Sequence, residues 1–131
     1  MTEISVSSRE KVALIDVTDT VRRAIRDSGV HKGSAVIFVP HTTAAVTINE
    51  NADPDVVQDM VMELNRIVPF DDGYRHGEGN SAAHIKSTLV GVSETVLVED
   101  GAPVLGTWQG IYFCEFDGPR RRRLLVQVIP G

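Results

Sequence analysis

The last third of the chain is a succession of β-rich runs separated by strong reversal signals, and this rhythm restricts the fold more than any other feature. Thr95 to Glu99 is followed by Asp100-Gly101, then come Pro103 to Leu105, Trp108 to Asp117, a turn at Gly118-Pro119, and Arg121 to Ile129. Close reversals of this kind join strands that run antiparallel. Upstream, Ile4 and Val6 alternate with polar neighbours and Val12 to Ile15 is apolar, which predicts an early hairpin turning around Ser7 to Glu10. Ser34 to Val39, stopped by Pro40, and Ala44 to Asn49 are two further β-rich runs, so the backbone changes direction near His41.

Helical periodicity interrupts the strands at three places. Val17, Val21, Ala24 and Ile25 recur at helical spacing, with Asp16 or Thr18 as caps and Ser28-Gly29 as the stop. Asp53-Pro54 announces a second helix through Val57, Met60, Val61, Leu64 and Val68, ended by Pro69. Asn80 or Ser81 can cap a short third helix carrying Ala83 and His84. Many strands with about three helices predict one α+β domain over residues 1–131, a largely antiparallel β-sandwich. At 131 residues the chain is long enough for a single core.

Composition narrows the function. A net charge of −5 argues against broad capture of nucleic acid, which needs basic side chains to neutralise phosphates, so any anion site is local. The N-terminus lacks a basic segment followed by an apolar one, and no apolar run reaches the ~18 to 20 residues that span a bilayer. Cys114 is the only cysteine, so an internal disulfide is ruled out and the thiol reads as an inert packing group. Together these features predict a cytoplasmic protein without membrane attachment.

His41, His76 and His84 concentrate in the middle third, each at the edge of a short polar run, whereas His31 sits beside Lys32-Gly33 as ordinary surface. Imidazoles bind transition metals and move protons near neutral pH, so their convergence points to a site and makes all three candidate metal ligands. The spacing matches no zinc signature, and structurally hydrogen-bonded or exposed histidines explain it more simply. Glu50 and Glu78 are the candidate catalytic carboxylates, while Asp53 reads as a helix cap. Asn80 and Ser81 offer an amide, a hydroxyl and free helix N–H groups to a phosphate or carboxylate, although capping accounts for them nearly as well. In the run Arg120 to Arg123, strand alternation sends Arg120 and Arg122 to one face and Arg121 and Arg123 to the other. Trp108 reads as core packing, and its neighbour Gln109 as either buried and bonded or facing a pocket.

Five ordered blocks, His41-Thr42-Thr43-Ala44-Ala45, Asn49 to Pro54, His76 to Lys86, Gly106 to Gly110 and Glu115 to Arg120, resemble the YjbQ-like family of small bacterial and archaeal proteins. The resemblance implies a sandwich-like homotrimer with a metal-binding pocket lined by the histidine blocks, the ion being zinc or magnesium. It also implies a weak thiamine-phosphate synthase activity, in which a pyrimidine diphosphate and a thiazole phosphate join with release of pyrophosphate. The expected site then has His41, His76 and His84 on the metal, Glu50 or Glu78 as proton carrier, and Thr42, Asn80, Ser81, Gln109 and Arg120 around a phosphorylated or otherwise anionic small molecule. The alternative is a non-catalytic module that binds a metal or a phosphorylated metabolite in the same pocket.

Overall fold

Burial along Arg121–Pro130 follows a period of two: Arg122, Leu124 and Val126 are buried, whereas Arg121, Arg123 and Gln127 are exposed. Successive side chains of a strand point to opposite faces, so this segment lines a core with one row only. The computed structural model describes residues 1–131 and orders them as β1 (Thr2–Ser7), β2 (Ala13–Asp16), α1 (Thr18–Asp27), β3 (Gly33–Phe38), β4 (Ala44–Glu50), α2 (Pro54–Ile67), α3 (Ser81–Val90), β5 (Ser93–Glu99), β6 (Ala102–Pro103), β7 (Gln109–Glu115) and β8 (Arg121–Pro130). One sheet has the strand order β1-β8-β3-β5-β6 and the other β2-β7-β4. Every pairing is antiparallel. The chain is therefore an α+β protein, as its turn rhythm predicts. None of its helices is long and apolar enough to cross a membrane.

The main core lies between the sheets. Ile37, Leu124 and Val126 come from the larger one, Val46, Ile111 and Phe113 from the smaller, and Val21 and Ile25 of α1 close one side. Asp16 starts α1 by accepting from the Thr18 backbone N–H at 2.9 Å and its hydroxyl at 2.6 Å. The central strand β7 is buried from Gly110 to Glu115 because its other face packs Cys114 with Ala45, Ala83 and Phe116 beneath α3. Burial pushes the Cys114 thiol up to about 12, which keeps it protonated and inert. The amphipathic α2 contributes no fully buried residue, and Asp53 caps it by accepting the Asp55 N–H at 2.9 Å.

Two local expectations are corrected. β1 and β2 do not form a hairpin: β1 joins β8 in one sheet and β2 joins β7 in the other. Their apolar residues satisfy opposite walls of the core, which local alternation cannot distinguish from a shared one. Trp108 is 63% exposed rather than core, because it lies in the reversal before β7 and not within the strand.

The same crossing between sheets recurs from β3 to β4 and from β7 to β8. All three crossings meet at one end of the sandwich, where the Ser8 N–H donates to the Arg120 carbonyl, the Phe116 N–H to that of Thr43, and the Gly118 N–H to that of Lys11. Lys86 of α3 secures the adjoining loop. Its fully buried ammonium stands 3.8 Å from the centre of the Phe70 ring and donates to Asn65 Oδ1 at 2.7 Å. Desolvation, with a smaller contribution from Lys11, lowers its pKa to about 8. Above its unfolded value near 10.5 both states are neutral; as pH falls toward 8 only the unfolded state gains the proton, so stability is lost across that window. Urea unfolding of wild type relative to Lys86→Met should therefore show a gain on the order of 2 kcal/mol between pH 8 and 10.5. Parallel pH trends in the two proteins would remove this assignment.

Candidate active site

His41 directly follows Pro40 in the crossing between β3 and β4, beyond Phe38, the last β3 residue paired to β8. Its ring takes the place of the missing strand partner, since Nε2 accepts the Arg123 backbone N–H at 2.9 Å. An acceptor at Nε2 places the ring hydrogen on Nδ1. Desolvation, then the positive charges of Arg122 and Arg123, lower the pKa of His41 below 6.5 against an opposing pull from Glu115. His41 is thus a neutral imidazole with one N–H to offer.

The floor beneath it is a buried ion pair. Glu115 is fully buried and Arg122 is 3% exposed. Arg122 Nε donates to both carboxylate oxygens at 3.0 and 3.1 Å, and Nη2 donates to Oε2 at 2.5 Å. Nη2 also donates to Thr43 Oγ1 at 2.8 Å, while the Ser8 hydroxyl and the Asp117 N–H complete the shell of Glu115 at 2.6 and 3.1 Å. Burial alone would raise the pKa of Glu115, but the hydrogen bonds from Arg122, Ser8 and Asp117 outweigh it and hold the carboxyl below its usual range.

A second carboxylate holds the rim. Asp117 Oδ2 accepts from Asn80 Nδ2 at 2.9 Å and from Arg120 Nη2 at 3.1 Å, and its carbonyl accepts from Arg120 Nε at 2.9 Å. Asn80 occupies the N-cap position of α3 but its side chain makes no cap bond. The capping explanation therefore accounts for its position and not for its amide.

These groups enclose a cleft of about 530 Å³ whose lining is polar apart from Pro40. Of the residues expected from sequence, His41, Thr42, His76, Glu78, Asn80, His84 and Arg120 all line it, together with Arg122 and Thr43. A second cavity of about 600 Å³ shares His41, Thr42 and His84 and adds the apolar Phe38, Val39 and Val92. Ser81 lies outside this cleft and borders a more open depression that shares His76 and His84 with it. The His76 and His84 rings are edge to face with centroids 5.7 Å apart, and His76 Nε2 is 3.9 Å from Glu78 Oε2.

The three histidines share one cleft but do not converge on one point: nowhere do three His, Cys, Asp or Glu side chains come close enough to hold an ion. With Nε2 of His41 engaged by Arg123, the donor set as arranged does not fit a three-imidazole metal centre.

Comparison with known proteins places this architecture. The family model described as "UPF0047 protein YjbQ-like" matches residues 2–131. The chain belongs to the YjbQ family. A UPF0047 protein of Methanocaldococcus jannaschii is 54% identical over 97% of this chain and 91% of its own length, and YugU of Bacillus subtilis is 47% identical over 96% of each. The crystal structure of a YjbQ/UPF0047 protein from Clostridium acetobutylicum superposes with a TM-score of 0.97 at 50% identity, covering 98% of this chain and all of the other.

The five YjbQ-like sequence blocks fall into two groups in space. The histidine blocks and Glu115 to Arg120 surround the cleft, whereas Glu50 pairs with Gln109 at the opposite end of β4 and β7. Because β4 has seven residues, about 20 Å of strand separates Glu50 from the cleft. Glu50 Oε2 accepts the Ala52 N–H at 2.9 Å, and Gln109 Oε1 accepts the Gly106 N–H at 2.8 Å. Neither joins the histidines within this chain. Arg122, Glu115, Thr43 and Asp117 are the site residues that sequence reading did not select.

Proposed function

We propose that the cleft is the active site of an enzyme that displaces pyrophosphate from a small phosphorylated substrate, with thiamine-phosphate synthase-like condensation as its reaction. The supporting observation is the cleft itself: two guanidiniums and three imidazoles in a lining whose only apolar side chain is Pro40, joined across His41, Thr42 and His84 to a partly apolar cavity. A charged diphosphate suits the first compartment and an uncharged ring the second. In that reaction the thiazole nitrogen forms a bond to the pyrimidine-bearing carbon as the carbon–oxygen bond to the diphosphate breaks. The electron pair leaves with pyrophosphate.

Charge then grows on the departing oxygens, where Arg120, Arg122 and the Nδ1–H of His41 stabilise it, while Thr42 and Asn80 orient the substrate. No proton needs to move in the bond-making step, which suits a neutral His41. His76 with Glu78 and His84 remain available to protonate the released pyrophosphate. A homotrimer, as the family resemblance implies, would allow Glu50 and Gln109 to reach a neighbouring copy's cleft; a monomer in sedimentation equilibrium excludes that role.

The test is turnover of the two thiamine precursors by wild type, Arg120→Ala and His84→Ala, with product followed over many active-site equivalents. Each variant is expected to lose ~10-fold or more. A residual rate indifferent to both substitutions would mark the activity as incidental, and tight pyrophosphate binding without product would leave the protein as a binding module.

A further inference from the structure

Arg120 and Arg122 have the same pattern of occupied and unoccupied nitrogens. In each, Nε and Nη2 are engaged, by Asp117 and by Glu115 with Thr43 respectively. In each, Nη1 donates to nothing in the protein. For Arg122 this matters most, because the residue is 3% exposed and yet the only buried side-chain polar atom left without a partner is Asn80 Oδ1. Its Nη1 is therefore open, and the opening available to it is the cleft that both arginines line.

The tethers also share a construction. Glu115 and Asp117 are two residues apart, as are Arg120 and Arg122, and the turn at Gly118-Pro119 folds one pair back onto the other. A guanidinium is a rigid planar fork, so fixing Nε and Nη2 fixes the direction of Nη1 as well. Surface arginines held by one flexible ion pair lack that property.

We propose that Glu115 and Asp117 are positioning residues, which aim the Nη1 groups of Arg122 and Arg120 at two oxygens of one phosphoryl-type anion. The inference rests on the functional reading above and adds to it how the anion is selected. A monocarboxylate offers its two oxygens to one fork; a pyrophosphate has enough oxygens to meet two separate donors. Asn80, held by the same Asp117, is set in place by the same tether.

Calorimetric titration with inorganic pyrophosphate at fixed ionic strength tests this, using wild type, Asp117→Ala, Asp117→Asn and Arg122→Lys, each with its thermal midpoint recorded. Asp117→Ala is expected to weaken binding about 10-fold with the fold retained, through loss of preorganisation alone. Asp117→Asn keeps an acceptor for Arg120 and should recover most of the loss. Arg122→Lys has no fork with which to contact Glu115 and the anion together, and should weaken binding at least as much as Asp117→Ala. Arginine side-chain NMR supplies a readout that global stability does not move: rotation of the Arg120 guanidinium should be hindered in wild type and free in Asp117→Ala. Pyrophosphate binding that is indifferent to Asp117→Ala and Arg122→Lys overturns the proposal alone. Absence of binding to wild type at millimolar concentration overturns the functional reading with it.

Discussion

Replacing Glu115 by alanine is expected to lower the free energy of unfolding by about 3–5 kcal/mol, the range found when one partner of a buried ion pair is removed. The size follows from what remains. Arg122 would stay in place with 3% exposure, and its Nε and Nη2 would lose three contacts of 2.5 to 3.1 Å to the carboxylate. Ser8 Oγ and the Asp117 N–H lose their acceptor as well. A double substitution, Glu115→Leu with Arg122→Met, removes both charges and should recover most of that stability, since apolar replacements of buried pairs are often neutral or better. Urea unfolding of the two variants separates the outcomes. If Glu115→Ala costs no more than the double variant, the pair is not sealed from water as its burial indicates. Acid should reproduce part of the effect: the carboxyl of Glu115 is held below its usual range, so its contribution is complete above the unfolded carboxylate value and disappears as pH falls through the lower folded one.

That pair was present in the alternation of the strands. The inward row of β8 runs Val126, Leu124, Arg122, and that of β7 runs Ile111, Phe113, Glu115, so each apolar row ends in a charge of opposite sign. Reading both rows to their ends would have placed the charges inside and together, because a buried guanidinium requires a carboxylate. The elements themselves were legible for the same reason: periods of 2.0 and 3.6 are local, and Asp16, Ser28-Gly29 and Asp53 mark helix ends within a few residues. His41 and His76 stand out in sequence because they sit in loops rich in Gly, Asn and Thr, and His84 because it falls at the start of α3, but nothing local says that they line a cleft without converging on one point. Sheet membership was not legible. Whether β1 turns back on β2 or crosses to another sheet depends on partners more than a hundred residues away, such as Arg122 opposite Val6. For the same reason Glu50 and Gln109 were grouped with the histidines, although β4 and β7 carry them to the other end of the sandwich.

His41 decides between the two chemistries that three histidines suggest. As a hydrogen-bond donor it contributes through Nδ1–H while Nε2 stays on the Arg123 amide; as a metal ligand it would need a free lone pair, which this arrangement does not leave. Loss of one preorganised donor at a developing anion typically lowers turnover by about 10²–10³, and His41→Ala is expected to fall in that range. His41→Gln is the informative partner. A glutamine amide can accept from the Arg123 N–H with its oxygen and donate with its nitrogen, so it should retain turnover within about 10-fold of wild type. As a ligand to a divalent ion the neutral amide is a poor substitute for imidazole, and a metal role predicts that Gln and Ala are equally inactive and that bound metal is lost from both. The pH profile adds an independent sign. Because desolvation and the neighbouring arginines lower its pKa from the ordinary 6.5, any loss of turnover from protonation of His41 lies on the acid side of that value. Equal inactivity of His41→Gln and His41→Ala, accompanied by loss of a bound divalent ion, would return His41 to the ligand set and reverse the role assigned to it.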